Sequence, residues 1–287
     1  MAGSARSEQP GEPVPATASA HGPASAARVV VVGGTGTIGA KLVRLLEADG
    51  HEVVVASPST GVDAVTGAGL EDALRGADLV VDTSKPRSFA PEALEAFFTT
   101  GIRRLLGAER AAGVRHHLSL SIVGADRAPD VPFYRAKAGM EQEVRDGGIP
   151  WTILHATQFF EFARGIAEAA ERADGPGGPG STTLLPPIQV QPIAGDAVAA
   201  HLARLVARIL GADGENGGDL DIAGLHRMSL AAFVRTALGD DAPPILESSR
   251  APYFGGLISE DTLLPGPSAR RIGPALSEWT GRERGVC

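Results

Sequence analysis

Short apolar runs alternate with longer segments of helical periodicity over the first half of the chain. The run at 29–32 is four consecutive valines, and in the segment after it apolar residues recur every three or four positions. A strand that is apolar throughout is typical of a parallel sheet covered on both faces, because neither face meets water. Strands are predicted at 28–32, 52–56, 78–82, 115–121 and 151–155, with a weaker one at 62–65. Helices are predicted at 37–48, 70–75, 91–112 and 132–146. This alternation predicts an α/β fold with a doubly wound parallel sheet.

The periodicity divides the chain into three regions. Residues 1–27 are rich in Ala, Pro, Ser and Gly, and we expect a disordered tail there because too little apolar surface is present to offset the entropy lost on ordering. Residues 28–156 carry the alternating pattern and are predicted to form the core. In residues 157–287 the rhythm loosens, and we expect this part to complete the core and to form a smaller lobe beside the carboxyl ends of the strands.

Local signals add detail to the last region. A helix is predicted at 159–172, followed by a flexible stretch at 174–181 that is dominated by Gly and Pro. Asp196 is predicted to cap a helix that runs to about residue 210, because its side chain can accept hydrogen bonds from the free amides of a first turn.

A glycine-rich segment lies between the first predicted strand and the first predicted helix. Its glycines have the spacing G-x-x-G-x-x-G. Glycine permits a tight turn and lets the backbone approach a pyrophosphate, and the following helix adds free N–H groups. We therefore predict that residues 28–156 are an NAD(P)-binding Rossmann core, the alternative being a glycine-rich turn without a ligand. The expected cofactor contacts in this turn are Gly33, Thr35, Gly36, Thr37, Ile38 and Gly39.

The residues after the second predicted strand bear on the choice of cofactor. An Asp or Glu there would bind the adenosine ribose hydroxyls of NAD, and none is present. Ser57 and Ser59 stand there instead, and their hydroxyls can donate to a 2′-phosphate, which favours NADP. Further cofactor contacts are expected from residues that follow other strands, namely Thr83, Ser84 and Thr157.

Composition argues against several classes of function. The net charge of −8 and the absence of a Lys/Arg run argue against direct binding of nucleic acid. The single cysteine, Cys287, provides no metal-ligand spacing, so no metal site is expected. No apolar stretch approaches the roughly 20 residues that cross a bilayer, so we expect no membrane association and a cytoplasmic location. His116 and His117 begin a strand at the end away from the crevice and are predicted to be structural.

Four segments together resemble the atypical short-chain dehydrogenases/reductases of the NmrA-like group. They are Val31–Gly39, Leu120–Asp126, Tyr134–Lys137 and Gly148–Leu154. The resemblance covers about residues 28 to 200 and thins in the C-terminal lobe.

The resemblance implies catalytic roles for Lys137, Tyr134 and Ser121. In the wider superfamily a Tyr four residues before a Lys is the acid–base, but here that position is Phe133, and Tyr134 comes one residue later. One residue turns a helical side chain by about 100°, so we expect Tyr134 to point elsewhere. The isoflavone-reductase-like members lack the Tyr, which implies that Lys137 contacts the nicotinamide ribose and acts as acid or base, or only anchors the cofactor.

Other residues are expected near the substrate. Ser121 ends a strand that faces the crevice, so its hydroxyl is expected to bond a substrate oxygen or, alternatively, the backbone. The expected substrate contacts are Gln158, Phe159 and Phe133. Phe160 and Phe162 are predicted to be core residues, and Tyr253–Phe254–Gly255 is a candidate lid.

The leading functional hypothesis is an NAD(P)H-dependent oxidoreductase acting on a small organic substrate such as a carbonyl, enone or quinone-like compound. The alternatives are an NmrA-like dinucleotide-binding redox sensor without turnover, and a non-redox isomerase or cyclase on the same scaffold. A small-molecule substrate is the expected partner. The chain is expected to be a monomer or a homodimer.

Overall fold

The computed structural model describes residues 26–173, 182–211 and 217–284. The strands are β1 (Arg28–Val32), β2 (Glu52–Ala56), β3 (Leu79–Asp82), β4 (His116–Ile122), β5 (Trp151–Ala156), β6 (Thr183–Leu185), β7 (Gln189–Val190), β8 (Gly218–Ala223), β9 (Met228–Ser229), β10 (Ile245–Glu247) and β11 (Arg270–Arg271). The helices are α1 (Gly39–Ala48), α2 (Leu70–Leu74), α3 (Pro91–Glu95), α4 (Ile102–Ala112), α5 (Pro132–Arg145), α6 (Ala163–Ala173), α7 (Gly195–Leu210), α8 (Leu230–Leu238) and α9 (Leu276–Arg284). Helix α3 continues into α4 through a π-helical segment, Ala96–Gly101, so the helix predicted at 91–112 is confirmed.

Seven strands form one sheet in the order β2-β1-β3-β4-β5-β8-β11, and every neighbouring pair in it is parallel. Helices cover both of its faces, so the predicted doubly wound α/β Rossmann sheet is confirmed. The register places Val32 beside Asp82, and Ser121 beside His155, which in turn lies beside Asp221. The carboxyl ends of β1, β3, β4 and β5 therefore meet along one edge, where an α/β sheet binds its ligands.

The valine run of β1 serves both faces of the sheet, because successive side chains of a strand point in opposite directions. Val29 and Val31 are buried with apolar residues of α1 and α7. Val30 and Val32 are buried with apolar residues of α2, α4 and α5. A strand in this position has no solvent-facing side, which explains its uniformly apolar sequence.

The second half of the chain contributes to the sheet and also builds a smaller lobe. Strands β8 and β11 extend the main sheet beyond β5, and α7 packs on the same face as α1. Helices α6, α8 and α9 surround a separate apolar core that includes Ile166, Leu185 and Phe233. Two short sheets, β6–β10 and β7–β9, edge this lobe.

Three local predictions are wrong. Residues 62–65 form a loop instead of a strand: the Asp63 carboxylate accepts hydrogen bonds from the amides of Val65 and Thr66, and glycines with left-handed φ flank the segment. Asp196 is not the N-cap of α7: the N-cap is Ala194, and Asp196 lies within the first turn, where its carboxylate accepts from Lys41 Nζ at 2.5 Å. The third wrong prediction is the placement of Ala27 in the tail.

Residues 1–25 of the predicted tail lie outside the described residues. Ala27 is buried, its amide donates to His51 Nδ1 at 3.4 Å, and its carbonyl accepts from the amide of Glu52. It is thus part of the fold. The flexible stretch predicted at 174–181 lies outside the described residues as well.

Within the described ranges, no helix has both the length and the apolar character needed to traverse a membrane. The same ranges contain no group of three or more His, Cys, Asp or Glu side chains arranged to hold a metal ion.

Candidate active site

The glycine-rich segment forms a tight turn between β1 and α1. Gly33 has a φ of +77°, and a Cβ there would lie 2.6 Å from the Cα of Ser84 in the loop after β3. A Cβ on Gly39 would lie 2.2 Å from the carbonyl oxygen of Gly33. Both glycines are therefore required for the turn to pack closely against the neighbouring loop and the first helical turn.

Gly36 faces open space. A Cβ at this position would meet one atom within 4 Å, the carbonyl oxygen of Gly33, at 3.1 Å. The neighbouring side chains of Thr35 and Thr37 are exposed, and Ile38, the N-cap of α1, is buried and makes no side-chain capping bond. The amides of residues 33–36 donate within the protein, to Ala56, Val31, Ser57 and Gly33 in turn. The N-terminus of α1 beside Gly36 is therefore the part of the turn that fits the pyrophosphate of a dinucleotide.

The serines after β2 differ in availability. Ser57 is buried, and its hydroxyl oxygen accepts from the amide of Thr35 at 3.3 Å, which ties β2 to the glycine-rich turn. The Thr60 hydroxyl is engaged in the same turn, where it donates to the carbonyl of Val55 at 2.8 Å. Ser59 is exposed, so its hydroxyl is available to a ligand.

The loop after β3 is organised by a buried carboxylate that the sequence reasoning missed. Asp82 is buried and accepts hydrogen bonds from the amide and the hydroxyl of Ser84. Thr83 donates its hydroxyl to the carbonyl of Val32 at 3.0 Å, so this loop is held against the glycine-rich turn. An Asp at the end of an otherwise apolar strand was the available signal, since a buried carboxylate requires donors close by.

Lys137 projects from α5 into the apolar layer next to Asp82. The side chain is buried, Nζ donates to the thioether of Met140 at 3.6 Å, and it lies 5.2 Å from the centre of the Phe98 ring. Burial lowers the pKa of Lys137, although the charges of Asp82 and Glu141 oppose the shift. The pKa of this amine is lowered, and the thioether to which it donates is only a weak acceptor. Such an amine is suited to give or take a proton.

Ser121 belongs to a buried polar group on the sheet face beneath α5. Its hydroxyl donates to Glu141, which also accepts from His155 Nε2 at 3.1 Å, and His155 Nδ1 lies 3.2 Å from Asp221. The Ser121 hydroxyl is therefore engaged by a carboxylate, which differs from both the substrate oxygen and the backbone group expected. Burial lowers the pKa of His155, but its bonds to Asp221 and Glu141 outweigh burial and raise that pKa to about 9.

Phe133 and Tyr134 point in different directions, as the one-residue shift requires. Phe133 lies 5.5 Å from the centres of both Phe89 and Phe98, on the side of Lys137. Tyr134 is buried on the other side, next to Gln158, whose Nε2 donates to the tyrosine hydroxyl at 3.4 Å. Burial raises the pKa of Tyr134 to about 12, so this hydroxyl holds its proton firmly.

The segment after β5 lines the boundary between the core and the lobe. Thr157 donates its hydroxyl to the carbonyl of Gln191 at 2.6 Å, so this hydroxyl is already engaged. Phe159 is half-buried against the face of α1 and α7. Phe160 is buried as predicted, whereas Phe162 is 39% exposed and stacks on Phe254, so its assignment to the core is wrong.

His116 and His117 are structural, as predicted. His117 is fully buried, with Nδ1 2.9 Å from the carboxylate of Glu109 and Nε2 2.8 Å from the Ser119 hydroxyl. His116 Nε2 lies 2.9 Å from the Thr152 hydroxyl. The buried Glu109 was not anticipated, because its partner comes from a neighbouring strand.

Comparison with known proteins assigns the dinucleotide-binding part of the chain. Residues 33–183 match the family model described as NAD(P)H-binding. A (4-alkanoyl-5-oxo-2,5-dihydrofuran-3-yl)methyl phosphate reductase of Streptomyces griseus is 32% identical over 160 residues, covering 49% of this chain and 52% of the relative. A photosystem II assembly factor Ycf39 of Synechocystis is 30% identical over 148 residues, covering 47% and 45%. The chain thus spans about half the length of these curated relatives.

A solved structure extends the likeness to the whole fold. The Thermus thermophilus UDP-glucose 4-epimerase, solved with NAD, superimposes with a TM-score of 0.62 at 18% identity, covering 91% of this chain and 100% of the epimerase. At this level of identity the likeness concerns the fold alone.

Proposed function

Because the chain belongs to the NAD(P)H-binding family of atypical short-chain dehydrogenases/reductases, we propose that it is an NAD(P)H-dependent reductase of a small carbonyl, enone or quinone-like substrate. The observation that carries the proposal is the glycine-rich turn, with its open space at Gly36 beside the uncapped start of α1. The similarity of the chain to a curated reductase supports the same function.

The residues that would hold the cofactor follow from the geometry of the cleft. The turn at 33–39 would bind the pyrophosphate, and Ser59 would face the adenosine end. The absence of a carboxylate after β2 supports NADP, with the Ser59 hydroxyl donating to the 2′-phosphate. When bound, the reduced nicotinamide supplies a hydride.

The proton chemistry is assigned to two side chains of α5. Lys137, held beside Asp82 with a lowered pKa, would contact the nicotinamide ribose and act as acid or base. Tyr134, beside Gln158, would face the substrate and orient its oxygen. Ser121 would act behind them, by fixing Glu141 under the same helix.

The first test is a titration of the protein with NADPH and NADH, followed by the fluorescence of the reduced nicotinamide. We expect NADPH to bind more tightly, and Gly36→Asp to abolish binding, because the new carboxylate would occupy the pyrophosphate space with a like charge. Lys137→Ala should weaken binding roughly 10-fold, the loss expected for one charge-assisted hydrogen bond.

Gly139→Ala is the matched control, since Gly139 lies on the exposed side of α5 and a methyl group added there would have no atom within 4 Å. Its affinity should equal that of the wild type. If the wild-type protein binds neither cofactor, the proposal is wrong.

A second candidate function is dinucleotide binding without turnover. The phenyl ring of Phe133 at the usual tyrosine position favours it, as does the similarity to an assembly factor. NADPH binding without NADPH oxidation across a panel of carbonyl, enone and quinone acceptors would support this candidate over the reductase.

A further inference from the structure

The loop between β3 and α3 crosses the carboxyl edge of the sheet, from the glycine-rich turn to the start of α5. At one end, Ser84 packs so closely on Gly33 that a Cβ on that glycine would lie 2.6 Å from the Ser84 Cα. At the other end, the ring centre of Phe89 lies 5.5 Å from that of Phe133 in the first turn of α5. Residues 85–88 therefore border the space between the proposed pyrophosphate site and the proposed site of the chemistry.

Two cations on this loop have no partner. Lys85 and Arg87 are exposed, and neither side chain forms an ion pair or a hydrogen bond with the described residues. The carboxylate of Asp82 is buried and accepts from Ser84, and Glu92 in the first turn of α3 pairs with neither cation. In a chain with a net charge of −8, these side chains form a local excess of positive charge, which attracts an anion.

The loop holds the two cations at a fixed place. Pro86 lies between them and is buried, and its ring fixes the backbone φ. Thr83 donates its hydroxyl to the carbonyl of Val32 at 3.0 Å, and the carboxylate of Asp82 accepts from the amide of Ser84 at 2.9 Å. The backbone is thus tied to the sheet before the first cation and to the core at Pro86, so little backbone entropy is lost when a ligand binds.

An exposed aromatic ring lies beside the cations. Phe89 is 52% exposed and is tilted against the half-buried ring of Phe133, which in turn lies 5.5 Å from the ring of Phe98. A single exposed apolar side chain is ordinary, but this one adjoins two unpaired cations. A ligand that has both an apolar part and a negative charge would use both surfaces.

We propose that Lys85 and Arg87 bind an anionic group of the substrate, a carboxylate or a phosphate, while Phe89 and Phe133 pack against the apolar part that carries the carbonyl. The inference rests on the proposed reductase function, and it narrows the substrate to an acidic carbonyl compound. The guanidinium of Arg87 is a planar fork that suits two oxygens of such a group, and the ammonium of Lys85 adds a second charge. A neutral carbonyl compound would gain nothing from either cation.

The pyrophosphate of the cofactor is the other anion expected at this edge, and two observations favour the substrate over it. The N-terminus of α1 already serves the pyrophosphate in the proposed binding mode. The loop also leads from the cations to the aromatic pair Phe89 and Phe133, away from the glycine-rich turn. The experiment separates the two anions.

The test compares an acid with a neutral analogue that has the same ring and the same carbonyl. Binding is measured by calorimetry on protein saturated with NADP⁺, so that no hydride is available. The pairs are 4-formylbenzoate with methyl 4-formylbenzoate, and 4-formylphenyl phosphate with 4-methoxybenzaldehyde. We expect the acid of at least one pair to bind about 10-fold more tightly than its neutral analogue, because charge-assisted hydrogen bonds are the stronger ones. A preference for the acid in neither pair overturns the inference.

Substitutions assign the preference to the two cations. Lys85→Gln and Arg87→Gln should each weaken binding of the acid roughly 3- to 10-fold and leave binding of the neutral analogue unchanged. Both side chains are exposed and unpaired, so both variants should fold like the wild type. Arg271→Gln is the matched control, because Arg271 is exposed on β11, four strands away from β3. An equal loss of acid binding in this control would show a general effect of net charge and overturn the inference.

The NADPH titration is run on the same samples, so that the two proposals can fail separately. NADPH binding by the wild type without a preference for either acid overturns the substrate inference and leaves the cofactor site intact. Weaker NADPH binding by Lys85→Gln and Arg87→Gln, with an unchanged ratio of acid to neutral affinity, would assign the cations to the cofactor and likewise overturn it. If the wild type binds neither cofactor, the proposed function is wrong and this inference falls with it.

Discussion

His155 is a histidine between two carboxylates at the end of β5. Nε2 bonds to Glu141 and Nδ1 lies against Asp221, while Asp219 and Arg145 lie at the edge of the group. The His155 side chain is 13% exposed, so water screens these charges only partly. The group joins α5, β5 and β8 at one point, and its charge state therefore bears on how firmly the outer strands are held.

This arrangement predicts a loss of stability at alkaline pH. The pKa of His155 is about 9 in the folded chain against about 6.5 when unfolded, so its contribution is complete below pH 6.5 and disappears as the pH rises through 9. We expect the free energy of unfolding of the wild type, relative to His155→Gln, to fall by up to about 3 kcal/mol over this range. Urea unfolding at several pH values measures the difference.

A difference that stays constant from pH 6 to about 9.5 would contradict the raised pKa. His51→Gln is a suitable control, because His51 lies far from this group along the sheet, beside Ala27 at the start of β1.

Residue-level prediction succeeded where a local pattern dictates geometry. The spacing of Gly33, Gly36 and Gly39 reflects the close packing of one turn, so it could be recognised without the fold. The partners of Ser121 and Thr157 could not, since Glu141 and Gln191 approach them only through strand register and the packing of distant segments. Nor could the sequence show that the side-chain Oε1 of Gln158 is buried without a hydrogen-bond partner among the described residues.

At the scale of elements, α5 is the helix on which the candidate chemistry depends. It begins with Pro132, whose fixed φ suits a first helical turn, and it buries one side against the sheet and the lobe. Its opposite side carries Gly139, which is exposed and without contacts. Helix α4 instead ends on a glycine, Gly113, with a φ of +74°.

Two identical substitutions should therefore change stability in opposite directions. Gly139→Ala should raise the free energy of unfolding by about 0.5–1 kcal/mol, because alanine loses less entropy in a helix. Gly113→Ala should lower it by roughly 1 kcal/mol, because a Cβ is disfavoured at left-handed φ. Neither added methyl group meets an atom within 4 Å, so packing does not confound the comparison. Chemical denaturation of both variants measures these changes. If both substitutions raised, or both lowered, the free energy of unfolding, this account would be contradicted.

Element prediction was reliable where apolar periodicity was long. The helix at 91–112 was recognised although its middle is π-helical, because the apolar side persists through the change of pitch. The prediction of a strand at 62–65 was wrong because Asp63 accepts hydrogen bonds from nearby amides and the glycines around it adopt turn conformations. These turns override the preference of a short apolar run for a strand. The prediction that Phe162 is a core residue was wrong because the lobe leaves its side chain 39% exposed.

At the scale of the whole molecule, the core and the lobe share elements. Helix α7 packs against α1 in the core, and its Ala197 also contacts the apolar cluster of the lobe. Strands β8 and β11 follow or precede lobe segments along the chain and yet complete the main sheet. The apolar core of the lobe is therefore connected to that of the main sheet through shared elements.

We therefore expect one cooperative unfolding transition. In Trp151→Phe, fluorescence reports on Trp279, which packs against Phe160 in the lobe, while circular dichroism reports mainly on the sheet and its helices. The two midpoints should coincide. NADPH at 100 times its Kd should raise the free energy of unfolding by about 2.7 kcal/mol, as measured by either signal. Separate midpoints would show that the lobe unfolds on its own.

The order of the strands in the sheet also differs from their order of synthesis. Strand β5 is complete at residue 156, but its outer neighbour β8 begins only at residue 218. While the ribosome makes the intervening residues, the outer edge of β5 exposes unpaired backbone groups, which are a template for joining another chain. A nascent chain of this protein therefore passes through an interval of aggregation risk that ends when β8 emerges and pairs.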